Sequence, residues 1–213
     1  MTSELGLRER KKQQTREHLA ETARRLFLER GFDPVTVAEV AREAEVSTGT
    51  VFNYFPTKED LFYGGMKLFE ERLIDAVRDR PVGESVLAAF QRVVLDGIPR
   101  LGREDTAELI ATAARIVGSS RSLQAREHEL VARYTEQLAT LIAEEGGRAA
   151  GEVESAAVAA ALMGAQRALV AHVQAGVLAG TRGSKLASST RMQAKRAFAR
   201  LERGLGDYGV KRR

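Results

Sequence analysis

Residues 36–60, TVAEVAREAEVSTGTVFNYFPTKED, decide the fold. They hold two short helical signals with a break between them. Thr36 with Glu39 three positions later is the sequence form of a capping box, in which each residue satisfies an orphan amide at a helix start. Val37, Val40, Ala41 and Ala44 then recur at helical spacing and mark one buried stripe. Glu45 and Val46 make the turn. Ser47 is a second N-cap, and Val51, Phe52 and Phe55 supply the apolar side of the second helix. Pro56 stops it, because proline lacks the amide and restricts the residue before it. Two short helices joined by a tight turn read as a helix-turn-helix, whose second helix lies in the major groove with its N-terminal residues toward base edges. Small residues at that start let the backbone approach DNA, and Asn53 offers a donor and an acceptor to an adenine edge.

Working outward, the chain reads as all-α with about nine helices. The first spans about 8–30, after a loose arm at 1–7, and Gly31 ends it as a C′ glycine. With the two short helices it would bury Leu26, Phe27, Phe32, Val37, Val40, Ala41, Val51, Phe52 and Phe55 as one core, so a polar residue at Phe27 or Phe52 should collapse it. Thr57 caps a long helix to about 79, with Asp60 near its positive end. Lys58 opposes that dipole, which suits a cation that meets a phosphate. Further helices fall at about 84–96, 103–117, 122–145, 153–178 and 190–205, separated by Pro- and Gly-containing breaks and by the polar connection 180–189. Residues 1–57 form one expected domain, which holds the helix-turn-helix and is read as DNA-binding, and 58–213 a second, helical one.

Apolar content of 44% and charged content of 29% suit a soluble globular protein. The absence of Cys excludes disulfides, thiolate catalysis and cysteine-ligated zinc. The three histidines are scattered, no metal site or cofactor is expected, and no catalytic constellation is visible. The polar start implies no signal peptide, and the Ala-rich stretch 156–179, interrupted by Gln166, Arg167, His172 and Gln174, reads as a packed helix rather than a membrane span. A cytoplasmic protein is expected. Net charge is +4, but residues 1–60 hold 10 basic and 11 acidic side chains. The local patch of Arg8, Arg10, Lys11, Lys12 and Arg16 could touch phosphates, and residues 182–213, with 10 basic and 2 acidic, form a second basic stretch.

Residues 24–61, RRLFLERGFDPVTVAEVAREAEVSTGTVFNYFPTKEDL, closely resemble the N-terminal signature of the TetR family of transcriptional regulators. The resemblance implies a homodimer, usually a repressor, released from a palindromic operator in double-stranded DNA when a small molecule binds the C-terminal domain. Carried onto this chain, it assigns Thr48, Gly49, Thr50, Asn53 and Tyr54 to the recognition surface, and Thr36, Tyr54 and Lys58 to phosphates. Val35 stands where many members have a hydroxyl residue. The pair Phe52-Asn53 departs from commoner aromatic or imidazole pairs, which suggests a different operator.

Half-sites on one face of B-DNA lie about 34–36 Å apart or a multiple of it, so an effector that favours another head separation weakens binding. Candidate pocket residues are Met66, Phe69, Phe90, Ile110, Arg115, Tyr134 and His172, and their mainly apolar character favours a hydrophobic or amphipathic effector. The last two helices carry small and apolar faces, and two copies would make a four-helix interface through Ala161, Gly164, Ala165, Ala168, Phe198 and Leu201. An activator, or a helical interaction protein that does not read DNA, is the alternative function.

Overall fold

In the computed structural model, residues 2–147, 149, 151–205 and 208–210 are described, with side chains for all of these except 2–5, 65–68 and 104. The regular structure among them is helical: α1 Thr2–Arg30, α2 Val37–Glu43, α3 Thr48–Tyr54, α4 Lys58–Phe62, α5 Gly64–Arg78, α6 Val86–Gly97, a 3-10 helix at Ile98–Gly102, α7 Glu104–Ser119, α8 Arg121–Glu145, α9 Val153–Leu178 and α10 Gly183–Leu205. Two compact units result. One comprises 1–69 and 116–127, the other 70–115 and 128–213. The sequence-based boundary between 57 and 58 falls inside the first unit.

In the first unit α1 packs on α2 and α4, and α2 on α3. Leu19, Ala23, Phe27, Phe32, Val35, Val40, Ala41, Val51, Phe55 and Leu61 fill the core. Phe27 and Phe32 meet with ring centroids 5.2 Å apart, and Phe62 closes the aromatic group at 6.0 and 5.8 Å from them. Gly31 ends α1 with φ +84°, its amide donating to the Phe27 carbonyl at 2.9 Å. Val35, read from sequence as a lost hydroxyl, is fully buried and acts as a core residue.

The structure departs from expectation at four places in this unit. The helix predicted from residue 8 begins at Thr2, so no loose arm spans 2–7. Val37 is only half-buried. Phe52 is 47% exposed rather than core. Its neighbours Val51 and Phe55, four residues apart, anchor α3, and position 52 is turned about 100° from that stripe. The long helix predicted over 57–79 breaks at Tyr63, between α4 and α5. Close packing explains the glycine there: a Cβ on Gly64 would lie 2.8 Å from the Cβ of Ala20.

In the second unit α10 packs on α9, α6 and the 3-10 helix. Phe90 and Phe198, both fully buried, have ring centroids 6.3 Å apart. Ala107, Ala111, Val173, Val177 and Leu186 join α7, α9 and α10 in a second apolar cluster. The helix expected from residue 190 starts at Gly183, so most of the predicted polar connection is helical. With the 57–79 helix divided, ten α-helices replace the expected nine among the described residues. By length and composition α9 could cross a membrane, but it buries Val158, Leu162, Gln166, Leu169, Val173 and Val177 within this unit.

Arg80 ties the second unit together. Its side chain is 2% exposed. It pairs with Glu145 at the end of α8 and donates to the carbonyls of Val77, Glu84 and Gly209. Residues 208–210 are thus docked: Gly209 also lies so close to Val86 that a Cβ would sit 2.8 Å from Val86 Cγ2. Removing one partner of a buried, hydrogen-bonded ion pair leaves the rest uncompensated. Arg80→Ala is therefore expected to lower unfolding free energy by about 3–5 kcal/mol, measured by urea denaturation.

Candidate nucleic-acid interface

The reading helix is set by its caps. Thr36 Oγ1 accepts from the Glu39 amide at 3.2 Å, and the Glu39 carboxylate accepts from the Thr36 amide at 2.8 Å. Arg30 donates to the same carboxylate at 2.8 Å. The Thr36 amide, then Arg30 and the Thr36 hydroxyl, hold the Glu39 carboxyl down at about 2. Ala44 follows α2, and Glu45 takes the left-handed conformation with φ +56° to make the turn. Ser47 Oγ then accepts from the Thr50 amide at 3.0 Å and starts α3. Phe55 leaves the helix in an extended conformation ahead of Pro56.

This geometry divides α3 into two faces. Val51 and the following Phe55 are buried. Thr48, Gly49, Phe52 and Asn53 are exposed, at spacings that form one face, and Tyr54 is half-buried. Thr50 is half-buried, and its hydroxyl lies 2.8 Å from Ser47 Oγ, which engages it in the cap. Three of the four residues assigned to base contacts therefore share an open face. Phe52, expected in the core from its periodicity, joins them.

The residues assigned to phosphates have different surroundings. Lys11 and Lys12 are exposed on α1. The Thr36 hydroxyl serves its cap. Lys58 folds back on the head: its ammonium lies 4.3 Å from the Phe32 ring centroid and donates to the Asp33 carbonyl at 3.2 Å. Burial lowers its pKa. A phosphate contact by Lys58 requires it to leave that ring face.

Behind α3, Thr57 and Asp60 form a second capping box that starts α4. Asp60 Oδ1 also accepts from Arg126 Nη2 at 2.7 Å and Nε at 3.2 Å. Burial works against the Asp60 charge, but Arg126 and Thr57 together hold its pKa below the ordinary value. Tyr63 donates to the Leu123 carbonyl at 2.9 Å and makes a second buried link to the same segment.

The residues assigned to an effector pocket are dispersed in their contacts. Met66 lies outside the residues whose side chains are described. Phe69 is half-buried in the first unit. In the second unit, Phe90 packs on Phe198, Ile110 joins the α7–α9–α10 cluster, and His172 Nε2 lies 3.1 Å from Ser189 Oγ. Arg115 is exposed and lines a depression of about 380 Å³ with Glu108, Thr112 and Arg182. A larger groove of about 770 Å³ runs between α5 and α8, and Glu71, Ile74, Arg133 and Leu141 are among its lining residues. None of the described residues of the expected pocket set lines it.

Sequence reading missed Glu70. It is 6% exposed, and its Oε2 has no hydrogen-bond partner among the described residues. Among the described residues Oε1 of Gln166 likewise has no hydrogen-bond partner, and buried Tyr134 has Arg133 beside its ring, 5.3 Å from the centroid. An acidic residue within the apolar rhythm of α5 was the available signal. Of the residues assigned to a dimer interface, Gly164 and Ala168 are exposed, and Ala161, Ala165 and Leu201 are half-buried. Phe198 is corrected: it is fully buried in its own chain against Phe90. Its position on the inner face of α10, rather than its apolar character, decides this.

Residues 19–63, which span this helix-turn-helix, match the family described as bacterial regulatory proteins, tetR family. That match covers 45 of the 213 residues and falls on the helix-turn-helix and its flanks. The regulator TcmR of Streptomyces glaucescens is 36% identical over 85 residues, covering 40% of this chain and 38% of that protein. The likeness therefore spans well under half of that relative's length. Among solved structures, NalD of Pseudomonas aeruginosa, the secondary repressor of the MexAB-OprM multidrug efflux pump, has a TM-score of 0.54 at 20% identity, covering 88% of this chain and 96% of that one. FadR of Bacillus subtilis, in complex with stearoyl-CoA, has a TM-score of 0.51 at 19% identity, covering 86% and 97%. At these identities the two share the fold with this chain. Among the described residues no group of three or more His, Asp or Glu could hold a metal ion.

Stability should respond differently at the two head phenylalanines. Phe27→Ser should unfold the head, whereas Phe52→Ser should change unfolding free energy by no more than about 0.5 kcal/mol, both read by thermal melting. Burial raises the Glu70 carboxyl to about 7 from 4.5. A raised folded pKa makes this carboxyl cost stability as pH climbs between those values, with the full cost above pH 7. Glu70→Gln should thus gain on the order of 3 kcal/mol at pH 8 and less than about 1 kcal/mol at pH 5, measured by denaturation at both pH values.

Proposed function

We propose that the chain is a ligand-responsive transcriptional regulator, a repressor, that binds a palindromic DNA operator as a homodimer and is released by a small-molecule effector. The observation that carries the reading is the open face of α3, with Thr48, Gly49, Phe52 and Asn53 presented together on a helix fixed by Ser47 and the Glu45 turn. A seven-residue helix buried on one side, with small polar residues and one aromatic ring on the other, suits a major groove, where side chains read base edges. The tetR-family match over 19–63 supports the same role.

The head is not basic overall, so its grip on phosphates rests on few groups: Lys11 and Lys12 on α1, Tyr54, Thr36 and, once released from Phe32, Lys58. In the second unit, exposed Gly164 and Ala168 allow close approach of another helix, and they support pairing of two copies through α9 and α10. The effector is hydrophobic or amphipathic. FadR in complex with stearoyl-CoA is an instance of this fold with an amphipathic ligand. The buried polar groups of Glu70, Tyr134 and Gln166 would give such a molecule polar anchors, and its differential affinity for two head spacings would shift the population between them.

Selection of bound duplexes from random DNA, repeated with a metabolite panel, tests this reading. A palindrome should emerge, and one class of metabolite should abolish its binding. Replacing Tyr54 or Lys58 by Ala should weaken all duplexes alike, whereas Asn53→Ala should change which duplexes are selected. Recovery of no preferred sequence at physiological salt would instead support a helical interaction protein.

A further inference from the structure

α3 presents an aromatic ring where a purely polar reading surface would be expected. Phe52 is 47% exposed, whereas of the other aromatic residues of the head Phe27, Phe32, Phe55 and Tyr63 are buried and Tyr54, Phe62 and Phe69 are half-buried. Its side chain has no hydroxyl and so no polar handle for a phosphate or a base edge. It takes no part in the Phe27–Phe32–Phe62–Tyr63 group. Gly49, one turn earlier on the same face, leaves a low shoulder: a Cβ there would meet only Ser47 Oγ, at 3.8 Å. Asn53 lies beside it on the exposed side.

A base-pair edge in the major groove offers one apolar group, the C5-methyl of thymine. An exposed ring beside a glycine gap is shaped for that group, while the neighbouring Asn53 amide suits an adenine edge. We propose that Phe52 is a specificity-determining residue that reads a thymine methyl in each half-site. The inference rests on the reading that α3 enters the major groove. It adds a base preference that the polar residues of α3 do not supply, because neither Thr48 nor Asn53 needs the methyl for its hydrogen bonds.

The test uses the selected duplex with each thymine replaced in turn by deoxyuracil, which removes the methyl and keeps the pairing. Dissociation constants are measured for the full chain and for Phe52→Ala at one salt concentration. For the unaltered chain, one replacement per half-site should weaken binding about fourfold, as expected for one buried methyl. Phe52→Ala should bind the thymine and uracil duplexes equally. Should F52A bind too weakly to measure, Phe52→Leu, which keeps a smaller apolar group, should show a reduced uracil penalty. Uracil replacement without effect at every position, or with the same penalty in the variants, overturns the proposal while leaving groove binding intact. A chain that selects no duplex overturns the groove reading and this inference with it.

Discussion

One carboxylate holds the head in its working shape. Asp60 closes the capping box that starts α4, directly after the reading helix, and its other oxygen receives the guanidinium of Arg126, sixty-six residues away in sequence. A helix start is a local matter, and a long-range ion pair is a tertiary one. One carboxylate thus couples the start of α4 to the 121–127 segment. Tyr63 reinforces this through its bond to Leu123. The recognition helix, seven residues long and unable to persist alone, inherits its orientation from that frame.

Features decided by neighbours along the chain are legible from the amino-acid sequence alone. Thr36 with Glu39, Ser47, Thr57 with Asp60, and Gly31 all act as their spacing implies, because caps depend on residues three positions apart. The outline of α9 is legible for a similar reason, since its flanks carry glycines. Phe52 is not, because periodicity on a seven-residue helix cannot separate a ring on the stripe from one beside it. Lys58 misleads in another way. A cation at a helix start suggests an anion, yet the faces of Phe32 and Phe27 lie within reach and take it instead. Phe198, Arg80 and Glu70 owe their character to which elements pack on them, and no local pattern records that.

The near-neutral charge of the head also becomes intelligible. Several of its charges are spent within it: Arg25 on Glu43, Arg30 on Glu39, and Arg126 on Asp60. These pairs order the turns that present α3. On the proposed function, shape and the chemistry of one small face carry recognition, with broad electrostatic attraction in a lesser role.

Amide hydrogen exchange with and without a selected duplex tests that claim most directly. Slowed exchange over residues 47–54 and at the start of α2, with α10 unchanged despite its many exposed cations, is the predicted result. Protection of α10 with α3 left at its free rate would contradict the account.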